Sequence, residues 1–115
     1  MQIDIQARNF TLTNAIQSHV NRRLSFALGS RDEHIQLIRV RLSDINGPRG
    51  GEDKSCRIQV VLPKLSNVII EDVETDLYTA IDRAVDRASK NVDRRINRHR
   101  DNRRSLYNSQ TQLYT

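Results

Sequence analysis

Five cations recur at helical spacing late in this chain: Arg83, Arg87, Lys90, Arg94 and Arg98. Steps of three and four residues put them on one stripe of an α-helix. Guanidinium and ammonium groups in a row do one kind of chemistry well. They bind phosphate, through charge-assisted hydrogen bonds. From position 83 to 104 there are nine Lys/Arg and three Asp, so that segment carries 9 − 3 = +6 against +5 for the whole protein. The basicity is therefore local, and a local positive field draws in polyanions and speeds their encounter. A solvated face, with Arg chosen as a good helix former, is the plainer alternative. Five aligned cations in a chain of pI ≈ 10.0 favour nucleic acid.

Other reactive residue types do not assemble. His19, His34 and His99 fall in three different elements without ligand spacing, so no metal is expected. Cys56 falls on the inward phase of a strand and reads as a buried small hydrophobe rather than a nucleophile. Asp82 and Asp86 are four apart, the spacing of a carboxylate pair. Asp86 has Arg83 and Lys90 within helical reach and reads as ion-paired. Asp82 has no cation three or four residues away and reads as a solvated acid near the helix start. The Asn46–Gly51 stretch is no P-loop, because no Gly-Lys-Ser/Thr follows and the next element is a strand. Its Gly47-Pro48-Arg49-Gly50 fits a G-x-x-G pattern, but in KH modules that loop joins two helices. A hairpin tip is the reading adopted, with Arg49 and Lys54 as possible phosphate contacts. No catalytic constellation emerges, so no enzyme activity, cofactor or small-molecule substrate is expected.

The cationic stripe needs an element to hold it. Leu77, Ile81, Ala84, Val85, Ala88, Val92 and Ile96 form the opposite, apolar stripe of one long helix over 76–104, with Asp82, Asp86 and Asp93 between the two. Thr75 is a candidate cap and Asp76 suits the positive helix end. Upstream, Gln2 to Ala7 alternates as a half-buried strand. Thr13 or Asn14 caps a helix with Ile16, Val20 and Leu24 inward, which Gly29-Ser30 stops. Residues 35–42, 56–62 and 68–73 read as three further strands, the last with weaker alternation. The order is β-α-β-β-β-α. Three strands have a largely polar face, which predicts an α/β (α+β) two-layer sandwich: a four-stranded mixed sheet with both helices on one face. The first two strands should be parallel across a right-handed crossover, and the later ones antiparallel hairpins. Residues 105–115 are polar and aperiodic and read as a disordered tail behind a domain of residues 1–104.

At 115 residues the chain is one domain able to bury a core. A single cysteine suits a reducing compartment. No membrane span and no signal peptide are visible, so a cytoplasmic location is expected. Aromatics are scarce and none lies in a strand. An RNA-recognition motif, which stacks bases on sheet aromatics, does not fit. The sheet's outer face offers Arg39, Arg41 and Arg57 instead, which favours backbone recognition over base stacking.

Asp76-Leu77-Tyr78-Thr79-Ala80-Ile81-Asp82, followed by cations at 87, 90, 94 and 98, resembles the second-helix signature of the ribosome hibernation-promoting factor and ribosome-associated inhibitor A family. Ile3-x-Ile5-x-x-Arg8-Asn9-Phe10-x-Leu12-Thr13 is similar to that family's first strand and loop. Ile16-x-x-His19-Val20-x-x-Arg23-Leu24 is similar to its first helix. The likeness spans residues 1–104 and is to the short form, since a chain ending at Thr115 leaves no room for the second domain of long-form members. The resemblance implies a fold like that of double-stranded RNA-binding domains. It also implies binding to the small ribosomal subunit between head and body, over the mRNA path and tRNA sites, silencing idle ribosomes in stationary phase or stress. Arg87, Lys90, Arg94 and Arg98 match family positions facing ribosomal RNA, and Arg23 matches one on the first helix. Arg83 extends the stripe. The partner expected is thus small-subunit rRNA, with no membrane. The competing expectations are a general double-stranded RNA-binding or RNA-chaperone module, and a protein-interaction regulator with a basic docking helix.

Overall fold

Alternation along the strands decides the architecture. In β2 (Leu37–Asp44), Ile38, Val40 and Leu42 are buried while Arg39 and Arg41 are exposed. In β3 (Lys54–Val61), Cys56, Ile58 and Val60 are buried and Arg57 is exposed. β4 (Val68–Glu74) buries Val68 and Ile70, and β1 (Gln2–Arg8) turns Ile3, Ile5 and Ala7 inward. A sheet with one apolar face needs a cover on that face alone. Two helices supply it: α1 (Asn14–Leu28), through Ile16, Val20, Leu24 and Leu28, and α2 (Leu77–Leu113), whose inward residues run from Ala80 to Ile96. The computed structural model describes the backbone of residues 1–45 and 53–113 and the side chains of 1–45 and 53–101.

Strand order is β1-β2-β3-β4. β1 runs parallel to β2, with Ile5 beside Val40, and α1 makes the crossover between them. β2 and β3 are antiparallel, with Val40 opposite Ile58, and β3 and β4 likewise, with Ile58 opposite Ile70. This is the two-layer, mixed-sheet α+β arrangement that the sequence predicts. α2 lies over β3 and β4 and packs beside α1. Ala80, Ala84 and Ala88, all buried, recur every four residues along its underside and let the helix settle close to the sheet. Among the described residues no helix is long and apolar enough to cross a membrane.

Local signals held at some ends and not at others. Thr13 caps α1, its Oγ1 accepting from the Ile16 N–H at 3.2 Å. Gly29 does not stop the chain in a left-handed turn. Its φ is −59°, and the chain tightens into a 3-10 segment, Gly29–His34, before Ile35 re-enters the core. α2 is capped by Asp76, not Thr75: Asp76 Oδ2 accepts from the Thr79 N–H and from the Thr79 hydroxyl, both at 3.0 Å. A carboxylate at that position both accepts a free N–H and complements the helix dipole. The helix also continues through residues 105–113, where a disordered tail is expected from sequence. No Pro or Gly lies between 77 and 113 to end it.

Candidate nucleic-acid interface

The apolar underside of α2 fixes where its charges go. With Ile81, Val85, Ala88 and Val92 pressed on the sheet, one flank of the helix leans over β4 and the other over α1. The cations of the stripe follow the β4 flank and the outer surface, and Asp82 and Asp93 occupy the α1 flank. All five cations of the stripe are exposed, but they are not equivalent. Arg83 Nη1 lies 3.1 Å from Glu74 Oε1. Arg87 Nη1 donates to the Glu71 carbonyl at 3.0 Å and lies 3.8 Å from Asp72 Oδ1. Lys90 Nζ is 3.1 Å from Asp86 Oδ2, one turn back, the ion pair expected for that aspartate. Arg94 and Arg98 form no ion pair or hydrogen bond among the described residues.

The acidic flank is used internally. Asp82 is not a solvated acid. Its Oδ1 receives His19 Nε2 at 2.7 Å and lies 3.2 Å from Arg23 Nε, both from α1. The Tyr78 ring meets the His19 ring edge-on, centroids 4.9 Å apart. Arg31, in the 3-10 segment, reaches Asp93 at 3.0 Å. Asp82 and Asp93 thus tie the helix to the α1 layer and the 3-10 segment that follows it. The partners lie about sixty residues away in sequence, beyond any i±4 rule, which is why spacing alone leaves Asp82 unpaired. Arg23 is consequently turned into the seam between the helices, its Nε buried, rather than set beside the stripe.

Lys54, at the start of β3, sits between two carboxylates: Nζ is 2.9 Å from Asp44 Oδ1 and 3.3 Å from Asp53 Oδ1. Its hydrogen bonds to Asp44 and then Asp53 raise the ammonium above its ordinary pKa. Asp53 is fully buried, so this pair is part of the β2–β3 junction. Arg49 and the Asn46–Gly51 stretch lie outside the described residues. Cys56 has no exposed surface, and burial, then the nearby Asp72 carboxylate, pushes its thiol up to about 12. A thiol so held is a poor nucleophile at neutral pH. Among the described residues no group of His, Cys, Asp and Glu is placed to hold a metal ion.

Exposed cations aligned on a helix, with no aromatic side chain among them, have the chemistry to donate to phosphate oxygens rather than to read bases. Comparison with known proteins places that surface in context. The family model described as sigma 54 modulation protein / S30EA ribosomal protein matches residues 3–104. The crystal structure of the Thermus thermophilus Protein Y N-terminal domain is similar, at 34% identity and a TM-score of 0.62, covering 81% of this chain and 93% of that one. A ribosomal subunit interface protein from Coxiella burnetii shares the fold at 19% identity and a TM-score of 0.70, covering 82% of this chain and 96% of that one. No curated protein matches the chain. With a family match over nearly its whole length, this chain belongs to the sigma 54 modulation / S30EA ribosomal protein family.

Proposed function

We propose that this domain is a ribosome-associated translation inhibitor that grips small-subunit rRNA with the exposed flank of α2, over the mRNA and tRNA sites. One observation carries the reading. The cations of the stripe share one solvent-exposed flank of α2, while Asp82 and Asp93 on its other flank are engaged by α1 and the 3-10 segment. Arg94 and Arg98, unpaired, are the principal phosphate ligands. Lys90 adds a third, since a solvated pair four residues apart exchanges its partner at little cost. Arg87 and Arg83 contribute after sharing their donors with β4. Arg23 supports from the helix seam. Membership of a ribosomal protein family, and the description of the Coxiella burnetii relative as a subunit interface protein, agree with a ribosomal partner and so with a cytoplasmic site of action.

A sucrose-gradient profile of stationary-phase lysate tests this at two salt concentrations. The protein is expected with small subunits or whole ribosomes at low salt and at the top of the gradient at high salt. Retention at the top in both salts would remove the ribosomal reading. Retention with free RNA alone would replace it by a general RNA-binding role.

A further inference from the structure

The open face of the sheet carries a second cationic cluster, on the opposite side of the molecule from α2. Arg39 and Arg41 point outward from β2 and Arg57 from β3. Arg8, at the exposed end of β1, falls on the same face by alternation with Gln2, Asp4 and Gln6. The strand register sets Arg41 directly opposite Arg57. Like charges in that position repel and weaken a sheet. Acids stand opposite the outer two arginines, Asp4 beside Arg39 and Glu71 beside Arg57, but Arg41 has only Gln6 and Arg57 across from it. Among the described residues none of the four arginines forms an ion pair. They converge on two adjoining grooves. One, of about 430 Å³, has Arg8, Arg41 and Arg57 on its walls together with Ser55 and Glu71. The smaller, of about 100 Å³, lies among Arg39, Arg41, Arg57 and Gln59. Among the described residues Glu71 is the only acid on either groove, and its Oε1 faces the Ser55 hydroxyl at 3.5 Å.

The chemistry of this face selects its partner. Every cation is arginine, whose planar fork suits paired hydrogen bonds to phosphate. Gln6, Ser55 and Gln59 add neutral hydrogen-bonding groups of the kind that meet phosphate and 2′-hydroxyl oxygens. No outward position of the four strands is aromatic, so bases have nothing to stack on. We propose that the open sheet face is a second RNA-backbone site, so that the domain is clasped between two RNA segments, one along α2 and one across β1 to β3. This rests on the reading that the chain binds ribosomal RNA, and adds a surface to it.

The test uses the full chain, binding to small ribosomal subunits and to protein-free small-subunit rRNA over a salt series. The variants are R39Q/R41Q/R57Q and, separately, R94Q/R98Q. The sheet variant is expected to lose roughly a hundredfold in affinity at low salt and to flatten the log–log salt slope by about two to three units on both partners. An unchanged slope overturns the sheet proposal. Weaker binding to whole subunits with unchanged binding to protein-free rRNA also overturns it, and makes the partner an acidic protein surface. The helix variant reports on the α2 reading alone: if only the sheet variant loses affinity, the α2 reading fails and this one stands. Arg41→Gln separates binding from folding. Relief of the Arg41–Arg57 repulsion is expected to raise the unfolding midpoint while RNA affinity falls. A lowered midpoint would make Arg41 a structural residue and overturn its assignment here.

Discussion

The first and second halves of the α2 stripe look alike in sequence and differ in structure. Arg83 and Arg87 stand over β4, where Glu74, Asp72 and the Glu71 carbonyl hold their guanidinium groups. Arg94 and Arg98 lie farther along the helix and have no such company among the described residues. Charge counted along a helix is therefore not charge available to a partner. The first pair is engaged by the fold; under the proposed function it serves fold and partner together, and the second pair serves the partner alone. The difference comes from β4, whose C-terminal half is acidic where α2 begins.

Breaking the second pair should have the largest effect on binding. Charge reversal in R94E/R98E is expected to weaken rRNA binding by roughly a hundredfold at low salt, through two lost phosphate contacts and added repulsion. Its unfolding midpoint should stay within about 0.5 kcal/mol of wild type, as for surface changes generally. Arg87→Glu should act on both properties. It sets a carboxylate against Asp72 and the Glu71 carbonyl, costs about 1–2 kcal/mol of stability, and also weakens binding. Loss of binding without loss of stability would erase the distinction between the halves.

Asp82→Asn sharpens the comparison from the other flank. Removing the charge that holds His19 and Arg23 should cost about 1 kcal/mol in denaturant unfolding, within the range of partly exposed ion pairs. RNA affinity should not fall, because an acid is lost and Arg23 is released. Arg83→Gln is the mildest change, since its pair with Glu74 is largely solvated: a loss of under about 1 kcal/mol and one unit or less of salt slope.

Cys56, opposite Asp72 in the β3–β4 register, gives a pH test of the core beneath the first half. Its thiol is raised from 9.0 to about 12 by burial and then by Asp72. The unfolded chain therefore releases this proton before the folded one does. The stability involved is fully present below about pH 9 and is lost as pH rises towards about 12, with a slope of up to about 1.4 kcal/mol per pH unit. Cys56→Ala should remove that part of the alkaline slope, read from unfolding midpoints between pH 8 and 11.

Much of the architecture was legible because period-2 alternation in β1, β2 and β3 and the 3.6-residue period of both helices are direct prints of burial. Ile38-Val40-Leu42 and Ile81-Val85-Ala88-Val92 named the core faces without further help. The stripe itself was legible for the same reason. Its division into paired and unpaired halves was not, because Glu74, Asp72 and Glu71 reach it from another element. Asp82 misled for a like reason: an i±4 search sees only its own helix, and its partners come from α1. The 3-10 segment has no period to detect, and Gly29 in a right-handed conformation defeats the usual reading of a glycine as a stop. Asp76 and Thr75 compete one residue apart, a difference that only the Thr79 N–H resolves.

Among the described side chains Ile96 is the last buried residue of α2, and those from Asn97 to Asp101 are all at least partly exposed. Selection therefore acts on this helix in two regimes. Up to Ile96 a substitution on the inward stripe must first satisfy the sheet beneath it, so the partner's demands are filtered through folding. From Asn97 to Asp101, under the proposed function, the helix is answerable to its ligand alone. Affinity for a drifting RNA surface could be retuned there one side chain at a time, with the domain itself left undisturbed.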